Sequence, residues 1–332
     1  MESGEKDIRN NKTLQDLVIF NDISTEVKDI EAISKTSEDI DQENQIKLFT
    51  ELIPHMGKYR YSSRLHNESN APIKEVKIKI QYPSFLKLTR TIPPTISHVG
   101  NKKEEDVSEQ IKIEFDELNE NEKKEVVLYF NPSDSLEQEE IKSFAAFINK
   151  DDYARVINSE PLQIGLKEIS IQPKIIPSAQ ISDFVKNPEI RKAIKSIGLG
   201  LEKSLDYEFL FNRLEVVLRA KGFQFIAKDK EKHILWYYGT ELESDSDLLV
   251  VGQEKNHKLE WIVTCKDPEL IIAVITTLMH ELKENLLRMG IINSQEQIHD
   301  LDCKACGYVL PKFPEKGKLV ICAKCGVEQI VW

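Results

Sequence analysis

The chain has 332 residues, of which 40 % are hydrophobic and 30 % charged, and this ordinary globular composition predicts roughly two to three domains. The formal net charge of −11 argues against a surface that neutralises many nucleic-acid phosphates, without excluding a local basic patch. The most apolar stretch, at residues 270–279, is too short to cross a bilayer, and the first residues lack the apolar region of a signal peptide. We therefore expect a cytoplasmic protein.

Residues 1–44 predict an acidic, disordered tail, because residues 1–45 contain 12 Asp and Glu against 5 Lys and Arg and show no sustained periodicity. One apolar segment interrupts it, with Leu14 followed by the run at residues 17–20 and with Asp16 and Asp22 beside them. This segment is either a short, unstable helix or a linear motif that binds in a groove.

Residues 45–166 alternate apolar and charged residues with a period of two, which predicts strands. In the clearest example, Val76, Ile78 and Ile80 alternate with Lys77 and Lys79. Further strand-like segments lie at residues 46–52, 59–65, 111–115, 126–130, 144–148, 154–157 and 162–166. So many short strands within about 120 residues favour an antiparallel β-sandwich of immunoglobulin-like architecture.

Residues 167–290 predict an α+β platform. Apolar residues at helical spacing follow Ser204, and Gly222 marks the expected end of that helix. Four strand-like segments come next, at residues 223–227, 233–238, 248–251 and 259–265. Asp267 and Pro268 then begin a second helix that runs to about Met289. The order helix, four-stranded antiparallel sheet, helix predicts a sheet covered by helices on one face.

Residues 291–332 predict a zinc ribbon. Two Cys-x-x-Cys-Gly segments supply Cys303, Cys306, Cys322 and Cys325, with 15 residues between the two pairs. Each segment places two sulfur atoms on one side of a tight turn, and two such turns give tetrahedral coordination of one Zn²⁺ ion. A site closed by four cysteines has no position for a reacting water, so the predicted zinc is structural rather than catalytic.

The remaining sequence offers no catalytic constellation. His280 and Glu281 lack the second histidine of a zinc-protease helix, and Gly198 and Gly200 lack both a third glycine and a recognisable preceding strand. Cys265 shares one strand face with apolar neighbours and is expected in the core. We therefore predict that the protein is not an enzyme.

A β-sandwich followed directly by this platform resembles the appendage, or ear, domain of adaptins and of the coatomer gamma subunit. The resemblance covers about residues 46–290. It is carried by Ile171-Gln172-Pro173, by the helical segment around Ile181 and Phe184, and by the strand at residues 258–265 with the helix that follows. It implies a platform that binds short peptide motifs, commonly around a tryptophan in the first platform helix.

The comparable positions here, residues 185–188, contain no tryptophan. Trp236 and Tyr238, which share a strand face, are the alternative candidate for an aromatic anchor, with Phe184 as a third partner-binding residue. Either this face or the opposite one, with Leu235 and Tyr237, packs on the helices.

These features predict a protein that binds protein partners, including short peptide motifs, as an adaptor with a coat-like role in vesicle-mediated transport. The alternative is a nucleic-acid-binding or transcription-machinery factor, because zinc ribbons occur in such proteins. The acidic charge balance favours the first hypothesis.

Overall fold

A computed structural model describes Gln42 and residues 44–94, 108–133, 138–201 and 207–332. The predicted acidic tail lies almost wholly outside these residues, and its apolar segment at residues 14–20 lies entirely outside them. Within the described residues, no helix combines the length and apolar character that a membrane crossing requires.

The first module is a sandwich of two antiparallel sheets. Its strands are β1 (Ile46–His55), β2 (Lys58–Asn67), β3 (Ile73–Pro83), β4 (Leu86–Ile92), β5 (Ser108–Leu118), β6 (Lys123–Pro132), β7 (Glu139–Ile148), β8 (Ala154–Asn158) and β9 (Leu162–Ile164). One sheet has the order β1-β2-β6-β4 and the other the order β5-β3-β7-β8, with β9 also paired to β7. The inward side chains of both sheets form one core, in which Tyr61, Ile78 and Phe130 are fully buried. Each strand-like segment predicted in this region overlaps an observed strand, and β4 is an addition to that prediction.

The second module, the platform, combines one large sheet with three helices. Its elements are β10 (Ile171–Pro173), α1 (Ser178–Lys186), β11 (Arg191–Leu199), α2 (Tyr207–Ala220), β12 (Gln224–Asp229), β13 (Ile234–Glu241), β14 (Ser246–Lys255), β15 (Lys258–Cys265), α3 (Pro268–Arg288) and β16 (Ile298–Asp300). The sheet has the order β10-β13-β14-β15-β11-β16, and β12 also pairs with β13.

Among the described residues this sheet has seven strands, so the predicted four-stranded sheet is incomplete. The sequence does not predict strand β11, because Lys192 and Lys195 fall on its opposite faces and leave no apolar alternation. Gly198 lies within β11, so the expectation from the sequence that no strand precedes Gly200 is wrong. Strands β10 and β16 are only three residues long and give no periodic signal.

Helices α2 and α3 cover one face of this sheet. Asp267 caps α3, with its side chain accepting hydrogen bonds from the backbone N–H groups of Glu269 and Leu270. The helix is buried on two sides, since Val274 and Leu278 pack in the platform core whereas Ile272 belongs to the sandwich core. Helix α3 thus fixes the platform against the sandwich.

The third module, called the cysteine module, comprises residues 301–332. It contains the short strands β17 (Leu319–Ile321) and β18 (Glu328–Ile330), which pair with each other. Its own small core includes Leu301, Leu310 and Val320 together with Cys303 and Cys322.

Candidate functional site

The four C-terminal cysteines come together as their spacing predicts. Their sulfur atoms all lie within 4.8 Å of one another. The Sγ atoms of Cys303 and Cys325 are 3.6 Å apart, as are those of Cys306 and Cys322. Four thiolates around one zinc ion at about 2.3 Å require sulfur–sulfur separations of about 3.8 Å. The donor set and its dimensions are therefore compatible with a tetrahedral metal site.

Both cysteine pairs sit on turns of the same geometry. In the first turn, the Gly307 N–H donates to the Cys303 carbonyl at 2.7 Å, and in the second the Gly326 N–H donates to the Cys322 carbonyl at 2.9 Å. Each of these glycines has a φ angle above +70°, a conformation that side chains disfavour. Gln329 ties the turns together, since its Oε1 accepts the backbone N–H of Lys304 at 2.8 Å.

The thiol groups affect one another's ionisation. Burial, together with hydrogen bonds to the neighbouring thiols, raises the pKa of Cys306 to about 12. Burial also opposes ionisation of Cys322, but backbone N–H groups of Lys324 and Cys325 outweigh it and lower the pKa of Cys322 to about 6. Because adjacent thiolates repel, four of them coexist only when a cation neutralises them, which a bound metal ion does.

Aromatic stacking joins the cysteine module to the end of the platform sheet. The ring of Phe313 stacks on that of Trp332, with centroids 5.3 Å apart, and His299 lies beside both rings. A Cβ atom on Gly198 would lie 2.1 Å from Phe313, and one on Gly200 would lie 2.8 Å from Trp332. The two glycines, which the sequence offered only as a poor phosphate-binding motif, therefore let the module approach the sheet.

Polar contacts reinforce this junction. The Phe313 N–H donates to the Asn256 carbonyl at 3.2 Å, and the Lys258 Nζ donates to the Leu310 carbonyl at 3.0 Å. Lys258 also pairs with buried Glu260 at 2.5 Å, and Glu260 accepts a further bond from Ser196. A satisfied buried network of this kind holds its members in one arrangement.

The sandwich also contacts the cysteine module. Lys58 on β2 forms an ion pair with Asp302 at 2.5 Å, and the Arg90 Nη1 donates to the Ala305 carbonyl at 3.5 Å. Arg90 in addition lies over the ring of Tyr129, 3.9 Å from its centroid. The Nε atom of Arg90 is buried without a hydrogen-bond partner.

One buried ion pair lies where the three modules meet. Lys195 of the platform contacts Asp300 at 2.7 Å, and Asn131 of the sandwich donates to the other Asp300 oxygen at 2.9 Å. Burial by itself would raise the pKa of Asp300, but Lys195 outweighs it and holds the pKa well below its usual range. Asp300 is therefore ionised at neutral pH. Its ion pair with Lys195 lies within the platform, whereas Asn131 and the charges of Lys87 and Lys58 bind it to the sandwich.

A cavity of about 500 Å³ opens beside this ion pair, with one wall from each module. The sandwich wall carries Lys58, Lys87 and Arg90, and the platform wall carries Lys192. Burial, reinforced by the charges of Arg60, Arg90 and Lys58, lowers the pKa of His55 on the same sandwich wall. The volume lies in the range typical of binding sites for small ligands.

The three aromatic residues predicted to bind a partner lie on the sheet face opposite α2 and α3. Leu235 and Tyr237 point into the helix-covered core, which decides between the two faces of β13. Tyr238 is only 2 % exposed and meets the Phe184 ring of α1 edge-on at 5.7 Å between centroids. Trp236 is half-buried on the same face.

Trp236 belongs to a row of apolar residues that crosses this face beside the part that α1 covers at Tyr238. In the strand register, Trp236 lies opposite Val251, Val251 opposite Ile262, and Ile262 opposite Ile194. All four side chains are half-buried, and Ile194 lines the cavity. This row is called the apolar stripe.

Cys265 is fully buried, as expected of a core residue, and burial raises its pKa to about 11. Such a thiol is neutral at physiological pH and is a poor nucleophile.

No protein-family model matches the chain, and no curated protein matches it. Among solved structures it is similar to a GH20 exo-β-N-acetylglucosaminidase from Vibrio harveyi in complex with N-acetylglucosamine, with 11 % identity and a TM-score of 0.24 over 67 % of this chain and 39 % of that chain. The sporulation control protein Spo0M from Bacillus subtilis is similar at 8 % identity with a TM-score of 0.20, over 67 % of this chain and 79 % of that chain. This chain thus spans about two fifths of the glycosidase chain, and TM-scores this low support no functional conclusion.

Proposed function

We propose that the chain is a non-enzymatic adaptor that binds protein partners through the face of its platform sheet that lies opposite α2 and α3. In this proposal an immunoglobulin-like sandwich supports an appendage-like platform, and a zinc ribbon closes one end of the platform. The adaptor works in a coat-like role in vesicle-mediated transport.

The observation that carries the proposal is the apolar stripe. Trp236, Val251, Ile262 and Ile194 lie in one cross-strand row, and none of the four belongs to the core that α2 and α3 cover. Contiguous apolar surface with polar surroundings marks interaction sites, and a tryptophan is among the best energetic anchors in an interface.

The roles of the aromatic residues differ. Trp236 is accessible to a partner and serves as the anchor. Tyr238 and Phe184 pack on each other and instead hold helix α1 at the border of the stripe. Their contribution to binding is therefore to shape the site rather than to contact the partner.

The proposed zinc ion is structural. Four cysteines leave no coordination position for a substrate or water, and a module of 32 residues has too little apolar core to fold without its metal. By holding Phe313 against Gly198, the metal-loaded module keeps the end of the platform sheet in place.

The proposal is tested by quantitative affinity capture on the full chain, with the wild type compared with the double variant W236S/I262S. The matched control is F49S/V216S, which removes one exposed residue from β1 and one from α2, both away from the stripe. We expect the recovery of at least one captured protein to fall at least tenfold with W236S/I262S and to stay unchanged with the control. The same protein, once purified, should bind the wild-type chain directly. If every captured protein responds equally to both variants, the stripe is not a binding surface and the proposal is wrong.

A further inference from the structure

The cavity between the modules lies against a free edge of the platform sheet. Strand β11 pairs with β15 along Arg191–Ile197, but on its other side it pairs with β16 only from Ile197 to Leu199. Among the described residues, no strand pairs with that side of residues 191–196. An unpaired strand edge is a template onto which a further extended segment can add.

The ladder geometry shows which backbone groups are available at this edge. The Ser196 carbonyl points outward, because it accepts the Leu301 N–H at 3.0 Å on the side away from β15. Alternate residues of an antiparallel strand direct their backbone groups to the same side, so Lys192 and Ile194 present theirs outward as well. Both residues line the cavity.

The cavity walls carry more cationic side chains than the neighbouring carboxylates and the proposed metal site neutralise. Asp302 is paired with Lys58, and Asp300 with Lys195. A zinc ion with four thiolates has a formal charge of −2, and the Arg90 guanidinium contacts the turn that holds two of these thiolates.

Lys87, Lys192 and Lys304 remain, since no ion pair to any of them is found within the described residues. Lys304 donates to the Ile330 carbonyl, and Lys87 acts on Asp300 only through its longer-range charge. Lys87 lies on the sandwich wall and Lys192 on the platform wall, and the apolar side chains of Leu88 and Ile194 lie beside them. The site therefore suits an extended, apolar peptide segment that carries carboxylates near its ends.

The chain contains such a segment outside the described residues. Residues 17–20 are Leu-Val-Ile-Phe, a run with high strand propensity, and Asp16 and Asp22 lie on either side of it. Nineteen residues lie between Asp22 and Gln42, where the described chain begins, and the connection spans up to about 70 Å when extended. Strand β1, which ends at His55 in the cavity wall, spans about 33 Å, so the segment can reach the cavity within one chain.

We propose that residues 14–22 add as a strand to the free edge of β11 inside this cavity, with Asp16 and Asp22 paired to Lys87 and Lys192. The occupied cavity would then join the tail to all three modules. Ile194 belongs both to the stripe and to the cavity, but the proposal does not require the stripe to bind a partner, because its charged contacts lie off the stripe.

The test uses a fluorescein-labelled peptide of residues 13–24 and fluorescence anisotropy. The receptor is the full, zinc-loaded chain with L17S/F20S, which disables its own segment. We expect saturable binding that weakens at least tenfold when K87E/K192E is added to the receptor. K232E, at a lysine whose side chain is 74 % exposed on the turn before β13, is the matched control and should leave the affinity unchanged. A peptide with D16K/D22K should show the reverse preference and bind the K87E/K192E receptor better.

Amide hydrogen exchange on the full chain provides a second readout that does not depend on added peptide. The Ile194 N–H should exchange more slowly in the wild type than in L17S/F20S, since only the wild type can pair this edge. No binding up to millimolar peptide, equal binding to the K87E/K192E receptor, or equal exchange in the two chains would each overturn the proposal. None of these results changes the outcome expected for affinity capture with W236S/I262S. The adaptor proposal and the strand-addition proposal can therefore be disproved independently of each other.

Discussion

Gly198 and Phe313 are in direct contact across the junction between the platform and the cysteine module: a Cβ atom on Gly198 would lie 2.1 Å from Cδ2 of the phenyl ring. Gly198 has no positive φ angle, so its importance lies in the space that it leaves rather than in backbone freedom. The ring, 8 % exposed, fills that space and stacks on Trp332.

The first prediction follows from this contact. G198A should destabilise the folded chain by about 1–3 kcal/mol, because the methyl group forces the Phe313 ring away from the sheet. F313A removes the ring, so G198A should cost much less in the F313A background than in the wild type. A double-mutant cycle measured by chemical denaturation checks this, and additive effects would contradict it.

The second prediction concerns the metal. We expect the purified chain to contain one zinc ion, and C306S to lose it and to unfold the cysteine module, because metal binding supplies most of the folding free energy of so small a module. Zinc content by elemental analysis and amide exchange of residues 301–332 measure the two effects.

Cys265 provides the control for the metal site. C265S should keep a full complement of zinc, since Cys265 is buried in the platform core and is not one of the four clustered cysteines. Alkylation with iodoacetamide should modify four cysteines after chelation and the fifth only in denaturant. A native chain with well below one zinc ion, or zinc retained by C306S, would contradict the assignment.

The third prediction is a pH dependence that comes from Asp300. Its pKa is depressed in the folded chain, so the stabilisation from the Lys195 pair is complete above about pH 5. It is lost as pH falls through the unfolded value near ~3.9 and on toward the lower folded value. D300N should cost about 3 kcal/mol at pH 7, since it leaves Lys195 buried without its partner, and the difference from the wild type should shrink below about pH 4.

Thermal unfolding from pH 3 to pH 7 measures this difference. D245N is the control, because Asp245 is exposed on the turn between β13 and β14 and has a positive φ angle that asparagine tolerates. A constant gap between wild type and D300N across the whole pH range would show that Asp300 acts through shape alone.

The fourth prediction separates the adaptor from the nucleic-acid alternative. With a net charge of −11, the chain should bind duplex DNA no tighter than the non-specific range of about 10⁻⁴ to 10⁻⁶ M at physiological salt. Fluorescence polarisation at several salt concentrations measures this. Sub-micromolar binding that weakens steeply as salt rises would favour the alternative.

Several features of this protein follow from local sequence alone. The Cys-x-x-Cys-Gly spacing predicts the sulfur cluster, because each turn is set by residues only three apart and by a glycine that accepts a positive φ angle. Alternation at Val76–Ile80 predicts β3 because one face of that strand is buried, whereas on the other face Lys77 is partly exposed although Lys79 is buried. Asp267 and Pro268 predict the start of α3 because capping involves only neighbouring residues.

Other features were decided only by the tertiary structure, because they depend on residues that are distant in sequence. Strand β11 is recognisable by its pairing with β15 and β16, and not by its own pattern. From the sequence, Lys195 is expected at the surface, whereas in the folded chain it forms an ion pair with Asp300, more than a hundred residues later. Gly198 and Gly200 suggested a weak phosphate loop, whereas their role is to admit Phe313 and Trp332. The apolar stripe likewise exists only because four separate strands align in one register, an arrangement that no local periodicity encodes.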